Sequence, residues 1–448
     1  TGTIEITDIG DGDPAAGVAG TVSIGNANTA TLTLDGTRYN TNGTTIYEAV
    51  AGSASIKITG ADVSITTADD NLTFDAGNIE LSTDGTTTIS TGTGGGNLVI
   101  DGTIDGSTGT GNGSEALTIT AGTGSTTISG TIGGTVAVTT LSIGGSGNGT
   151  ISLAGLGDSN TAGATGTTTI GNTSTGTLTL PGTIYTTDNT QTYVAATGQN
   201  IDITGDGATF TTTNDNIAFN TAGVDLSFDG EGENVVTTID TGTGAGTVTF
   251  GGAIESGGGD DDVLTITSGT GTVTFTGNIG ATQELGGLNV NASSGSGIIT
   301  FTGDIGDTNA PQSGVIGTSN IGNTATTRID LDGGLYSFDG TTTFESSGAE
   351  SVEISVATTI ENTANSLSFS GGSIELLNGA NLSVTTNGGA ITVNGVVGTS
   401  SETLSINANH SGGDGSSANE TVNITGDIGN ADEILSVAVT GRDGITLT

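Results

Sequence analysis

Six aromatic residues recur in pairs, Tyr39 with Tyr47, Tyr185 with Tyr193, and Tyr336 with Phe344, and they include all five tyrosines of the chain. The stretches that hold them are "RYNTNGTTIYEAV", "IYTTDNTQTYVAA" and "LYSFDGTTTFESS", each with an Asn/Asp/Gly turn between the two rings. Tyrosine joins an apolar face to a polar tip, a combination that suits protein interfaces and sugar rings. The spacing predicts two strands of a small excursion from the main fold, presenting a repeated interface or a glycan-binding surface. The plainer reading is that the rings cap a core where a loop leaves it.

Carboxylates are the second candidate chemistry. They cluster in "TDIGDGDP" (Asp8, Asp11, Asp13), "GDIGD" (Asp304, Asp307) and "GGGDDDVL" (Asp260, Asp261, Asp262), and Asp158 keeps step with Asp11 and Asp307. No cofactor is required, but hard cations take several oxygen ligands from flexible Gly-containing loops, and calcium is the one that Asp8, Asp11, Asp13, Asp158, Asp304 and Asp307 could hold. Solvated turns would use aspartate equally well.

Catalytic groups are scarce. Polysaccharide lyases built on coiled β-strands need basic residues to neutralise a uronate and abstract a proton. Here one Lys, three Arg and a single His, His410 in "NANHSGGDG", fall at unrelated places, and no enzyme is expected. Four cations against 47 carboxylates also exclude nucleic acid, whose phosphates are bound through Lys and Arg. No run approaches the roughly 20 apolar residues of a membrane-spanning helix. Sequons such as those at Asn42, Asn71 and Asn423 are abundant, as chance dictates in a chain this rich in Asn, Ser and Thr. Threonine ladders such as "TVTF" suit an ice-binding face, but their uneven intervals do not suit a lattice.

The elements that must position these residues follow from patterning. Apolar and polar residues alternate over runs of four or five, which places one face of a strand inward and one outward. Gly, Asn and Asp punctuate the runs as turns, and no helical periodicity is sustained. With 82 Gly and 3% aromatic residues, the chain cannot fill a thick core. A solenoid core is only one or two side chains across, and small aliphatic residues fill it by stacking from coil to coil.

The repetition has two scales. "IGNANTATLTLDGT", "IGNTSTGTLTLPGT" and "IGNTATTRIDLDGG" begin at Ile24, Ile170 and Ile321, separations of 146 and 151 residues. The predicted organisation is three tandem repeats of about 147 residues, at 1–147, 148–296 and 297–448, in one continuous rod. Phe74, Phe219 and Phe369 keep the same step. A shorter repeat places Phe250, Phe275 and Phe301 at intervals of 25 and 26 residues, which predicts coils of roughly 20 to 25 residues with two or three strands each.

The idiom "TVTFTGNIG … LNVNASSGSGIITFTGDIG" resembles the β-strand repeats of large bacterial surface proteins of the filamentous-haemagglutinin and autotransporter-adhesin type. That resemblance implies a right-handed parallel β-helix, and a secreted or cell-surface location. The absence of Cys, Met and Trp fits a long-lived extracellular material. Neither terminal stretch reads as a cap. Either the chain is a segment of a longer solenoid, or its ends meet further copies head to tail. The expected function is a non-enzymatic, self-assembling subunit of a surface filament, sheath or layer, with copies of itself as head-to-tail and lateral partners. The alternative is an adhesin stalk, or a module that binds surface glycans through its tyrosines.

Overall fold

The computed structural model describes all residues except 1, 11–18, 53, 83, 108–114, 146, 148, 221, 227–234, 258–261, 308–312, 364, 400, 409–419 and 430–433. Among the described residues there is no helix, and every strand pairing is parallel. The chain is a β-solenoid of about 16 turns in all. It divides into two compact units, Thr1–Ala222 and Gly223–Thr448, and the division falls inside the second of the expected repeats.

A turn of the first unit carries up to three short strands, and the inward residue of each strand lies beneath its counterpart one turn on. One file of inward residues runs Tyr39, Ile65, Ile89, Ile119, Ile143, Ile170, Tyr193, Phe219. A second runs Ile24, Tyr47, Phe74, Ile100, Ile128, Leu153. The third passes from Ile79 to Ile104, continues through single bridges at Ile132 and Leu156, and reaches Tyr185 and Phe210. Alternation dictates this arrangement: in Leu98–Ile100 the outer two residues are buried and Val99 between them is half-exposed.

Six steps of the first file lead from Tyr39 to Tyr193, so a turn takes (193 − 39)/6, about 26 residues, slightly more than the sequence suggests. The long repeat is therefore not a whole number of turns. A separation of 146 residues, Tyr39 to Tyr185, amounts to five turns and two further strands, and the equivalent tyrosine lands on a different file. The tyrosine that shares the file of Tyr39 is Tyr193, the second ring of the next pair.

The second unit is built alike. Phe250, Phe275, Phe301, Leu331, Ile354 and Leu376 form one file. Val290, Ile321, Phe344, Phe369, Val393 and Ile424 form another. Ile254, Ile279, Ile305, Tyr336, Ile360 and Val384 form the third. The phenylalanines at intervals of one turn stack face to face, with centroids of Phe275 and Phe301 4.7 Å apart and their planes within 10°. That spacing equals the distance between neighbouring strands, so successive turns hold the rings at stacking distance.

The excursion predicted for the aromatic pairs does not exist. Arg38–Thr41 and Thr45–Glu48 are consecutive strands of the coil itself. Tyr39, Tyr47, Tyr185, Tyr193, Tyr336 and Phe344 are all 0% exposed. The rings point inward because alternation puts them on the core face, and a solenoid interior this poor in bulk takes them as filler.

A Phe275→Ala substitution is expected to cost about 3–5 kcal/mol through the lost ring and the cavity left between Phe250 and Phe301. Denaturant titration checks this, with the wild-type chain as reference.

Candidate functional site

The sequence written three times builds a corner of the coil. In each copy the glycine has a positive φ: 85° at Gly25, 80° at Gly171 and 80° at Gly322. A Cβ there would lie 2.0, 1.9 and 2.1 Å from the carbonyl oxygens of Glu48, Val194 and Glu345, each on the next turn. Only glycine meets both demands. The asparagine that follows closes a turn with the residue three further on. Its N–H donates to the threonine Oγ1 (Asn26 to Thr29, 3.0 Å; Asn172 to Thr175, 2.8 Å; Asn323 to Thr326, 3.0 Å). Its Oδ1 accepts from the backbone N–H two residues on, at Asn28, Ser174 and Ala325. The threonine N–H returns to the asparagine carbonyl in all three copies. These bonds satisfy main-chain groups that leave the sheet ladder as the chain changes direction. Asn172 and Asn323 also reach the preceding turn, donating from Nδ2 to the carbonyls of Gly145 and Gly295.

A second fastening follows within one strand. The phenol of Tyr39 accepts from Gly36 N–H at 2.7 Å and donates to the carbonyl of Ile6 at 2.8 Å, one turn back. Tyr185 does the same between Gly182 and Leu153, at 2.9 and 2.8 Å. Tyr336 bridges Gly333 and Phe301, at 2.7 and 3.1 Å. The recurrent pattern Leu-x-Gly-x-x-Tyr is thus a clamp between adjacent turns. Burial pushes the Tyr39 phenol up to about 12, and burial raises Tyr185 and Tyr336 further. Gly-to-Tyr spacing of three, held in all three copies, was a readable signal for this clamp; its inward direction was not.

The second ring of each pair differs between copies. The Tyr193 hydroxyl donates to Gln191 Oε1, and the Gln191 amide donates to the carbonyls of Tyr185 and Thr211. In the first copy Thr45 stands in place of that glutamine, and the buried Tyr47 hydroxyl has no partner among the described residues. In the third copy Phe344 dispenses with the hydroxyl. The stack beneath is kept each time: Tyr47 on Phe74 at 5.3 Å, Tyr193 on Phe219 at 5.1 Å, Phe344 on Phe369 at 5.2 Å.

Three of the aspartates expected to bind calcium, Asp8, Asp158 and Asp304, are placed as caps. Asp8 Oδ1 accepts from Thr37 and Arg38 N–H, and Asp304 Oδ1 from Gly334 and Leu335 N–H, in each case on the next turn. Asp158 caps its own loop through the N–H groups of Asn160 and Thr161, which hold its carboxyl below the usual carboxylate range. Asp262 is buried, accepting from Ser256 Oγ and Gly257 N–H. Asp307 belongs to the second unit, Asp8 and Asp158 to the first. Asp11, Asp13, Asp260, Asp261 and His410 lie outside the described residues. Among the described residues, no three His, Asp or Glu side chains are grouped to hold a metal ion. The same capping role falls to Asp69, Asp105 and Glu255, which sequence reading passed over. Their signal was an acidic residue about one turn upstream of a Gly- or Thr-rich corner.

A groove of about 380 Å³ crosses four turns of the second unit, lined by glycine, serine, threonine, Ala325 and a single carboxylate, Asp240. That carboxylate accepts from Gly242 N–H at 2.7 Å. Compared with known proteins, the chain matches no family model, and no curated protein or solved structure gives a significant match. The likeness to bacterial surface β-helix proteins thus rests on the strand idiom alone.

Three outcomes follow. Gly171→Ala is expected to destabilise by roughly 2–4 kcal/mol, from the positive φ and the Val194 carbonyl together, measured as a lowered denaturant midpoint. Tyr185→Phe strands Gly182 N–H and the Leu153 carbonyl and is expected to cost about 1–3 kcal/mol, whereas Tyr47→Phe removes an unpartnered hydroxyl and is expected to be neutral or stabilising. The raised phenols also set an alkaline limit. Because the folded state holds them neutral above their ordinary value of 10.0, their contribution is complete below that pH and is lost as pH climbs towards about 12. Midpoints measured from pH 8 upward should hold level and then fall, and a Tyr39→Phe, Tyr185→Phe, Tyr336→Phe variant should lose less over the same range.

Proposed function

We propose that the protein is a non-enzymatic structural element of a cell surface, a β-solenoid subunit of a filament, sheath or layer. The observation that carries this reading is the use to which the repeated sequence is put. Glycine, asparagine, threonine and tyrosine recur at fixed spacing and are spent on fastening one turn to the next, at the corner of Gly171 and at the clamp of Tyr185. Sequence repeated for binding would present its polar tips outward; here the phenols of Tyr39, Tyr185 and Tyr336 bond main chain inside the coil.

The outer surface supports the same reading. With a formal charge of −43, copies brought side by side repel each other unless salt or divalent cations screen them. Three of the four cationic side chains are paired within the coil: Lys57 with Glu80 at 3.1 Å, Arg328 with Asp330 and Glu353, and Arg442 with Glu420. Calcium, in this proposal, acts between copies as a counterion. An extracellular location is supported by the lack of oxidisable Cys, Met and Trp and by the strand idiom. No helix among the described residues is long and apolar enough to cross a membrane. The adhesin-stalk alternative uses the same architecture without lateral association.

Electron microscopy of the purified chain, with calcium and with chelator, tests the proposal. Ordered filaments or sheets that thicken with calcium are expected. Single particles of one size in every condition would count against self-assembly.

A further inference from the structure

Four Asn–Gly pairs lie among the described residues, at 42–43, 378–379, 387–388 and 394–395. Such a pair can rearrange without an enzyme, provided the glycine nitrogen reaches the asparagine side-chain carbon. Two features of a fold oppose it: a hydrogen bond that holds the nitrogen, or contacts that hold the side chain.

At two pairs the fold supplies one or the other. Gly379 N–H is held by Glu402 Oε1 at 3.1 Å, and Asn378 itself is fixed at a φ of 55°. Asn394 is held at both ends of its amide, donating to the Gly371 carbonyl and accepting from Thr425 Oγ1. The Asn387 Oδ1 is buried, without a hydrogen-bond partner among the described residues. Asn42 is different. It is exposed, and among the described residues its side chain and the N–H of Gly43 have no hydrogen-bond partner. Gly43 is nonetheless required, since a Cβ there would lie 2.7 Å from Thr21 N and 2.9 Å from the Gly20 carbonyl carbon. Close packing of adjacent turns demands the glycine, and the glycine exposes its asparagine to attack.

We propose that Asn42 is a site of spontaneous deamidation, with water as the only co-reactant. The Gly43 nitrogen loses its proton and bonds to Asn42 Cγ, and the side-chain nitrogen departs as ammonia, leaving a cyclic imide. Water then adds to either imide carbonyl, and the ring C–N bond to that carbon breaks, to give aspartate or isoaspartate. Either product adds a negative charge, and isoaspartate also lengthens the main chain by one carbon. The change falls at the corner between Arg38–Thr41 and Thr45–Glu48, where Asn42 N–H donates to Ala19 O and Thr44 O accepts from Val22 N–H. Ageing of the protein would therefore loosen the coil at a defined place.

The experiment is incubation of the intact protein in mildly alkaline buffer made with ¹⁸O-labelled water, followed by mass spectrometry of its proteolytic peptides. Asn42 is expected to convert on the order of tenfold faster than Asn378 and Asn394, because of the three only Asn42 has both its side chain and the following N–H unheld. A parallel incubation in denaturant should bring the three rates together. Conversion of Asn378 or Asn394 as fast as Asn42 in the folded protein would overturn the proposal. So would an unchanged ranking in denaturant, which would trace the difference to local sequence.

Discussion

A parallel coil stacks its strands at the spacing of one hydrogen-bonded ladder, and that spacing leaves little room at the corners. Within a strand the main-chain N–H and C=O groups pair with the turns on either side. Where the chain bends, those groups leave the ladder and still need partners. Much of the polar sequence of this protein answers that need. Asparagine and threonine close the turn at Asn172 and Thr175. Tyr185 clamps a corner to the turn behind it, and Asp304 caps the N–H groups of the turn ahead. Glycine lets the turns approach to within van der Waals contact, as at Gly171 beneath the Val194 carbonyl.

The same spacing explains how so few aromatic residues fill a core. Rings one turn apart are brought to stacking distance by the ladder, as Phe250, Phe275 and Phe301 are. In the first unit two files meet in a cluster of Tyr185, Tyr193, Phe210 and Phe219, in which stacked and edge-on contacts alternate. Small aliphatic side chains suffice elsewhere, because each file is a single side chain wide. The acidic surface is compatible with this core because many carboxylates are engaged with main-chain N–H donors, which suit a negative charge better than a neutral acceptor.

The mismatch between the long repeat and the turn distributes that design around the coil. A repeat of five turns and two strands moves each motif to another face in the next copy, so Tyr39 shares a file with Tyr193 and not with Tyr185. A chain under pressure to present one binding motif along one face would keep a whole number of turns. Fastenings carry no such requirement, since each acts on its own turn and its neighbour.

Sequence alone determined the all-β class, the strand alternation and the turns, because these are set by local geometry: a period of two along a strand, and glycine or asparagine where φ is positive. The long repeat, the phenylalanine interval and the aspartates were all visible as spacing. Tertiary structure alone decided where the spacing leads. The direction of the tyrosines depends on whether their stretch is an excursion or part of the coil, and nothing within eight residues distinguishes the two. The role of Asp8 as a cap depends on a partner 29 residues away, at Thr37. The face on which each repeat falls depends on the accumulated length of every turn before it. These are properties of the wound chain, and they arise only when one turn is laid against the next.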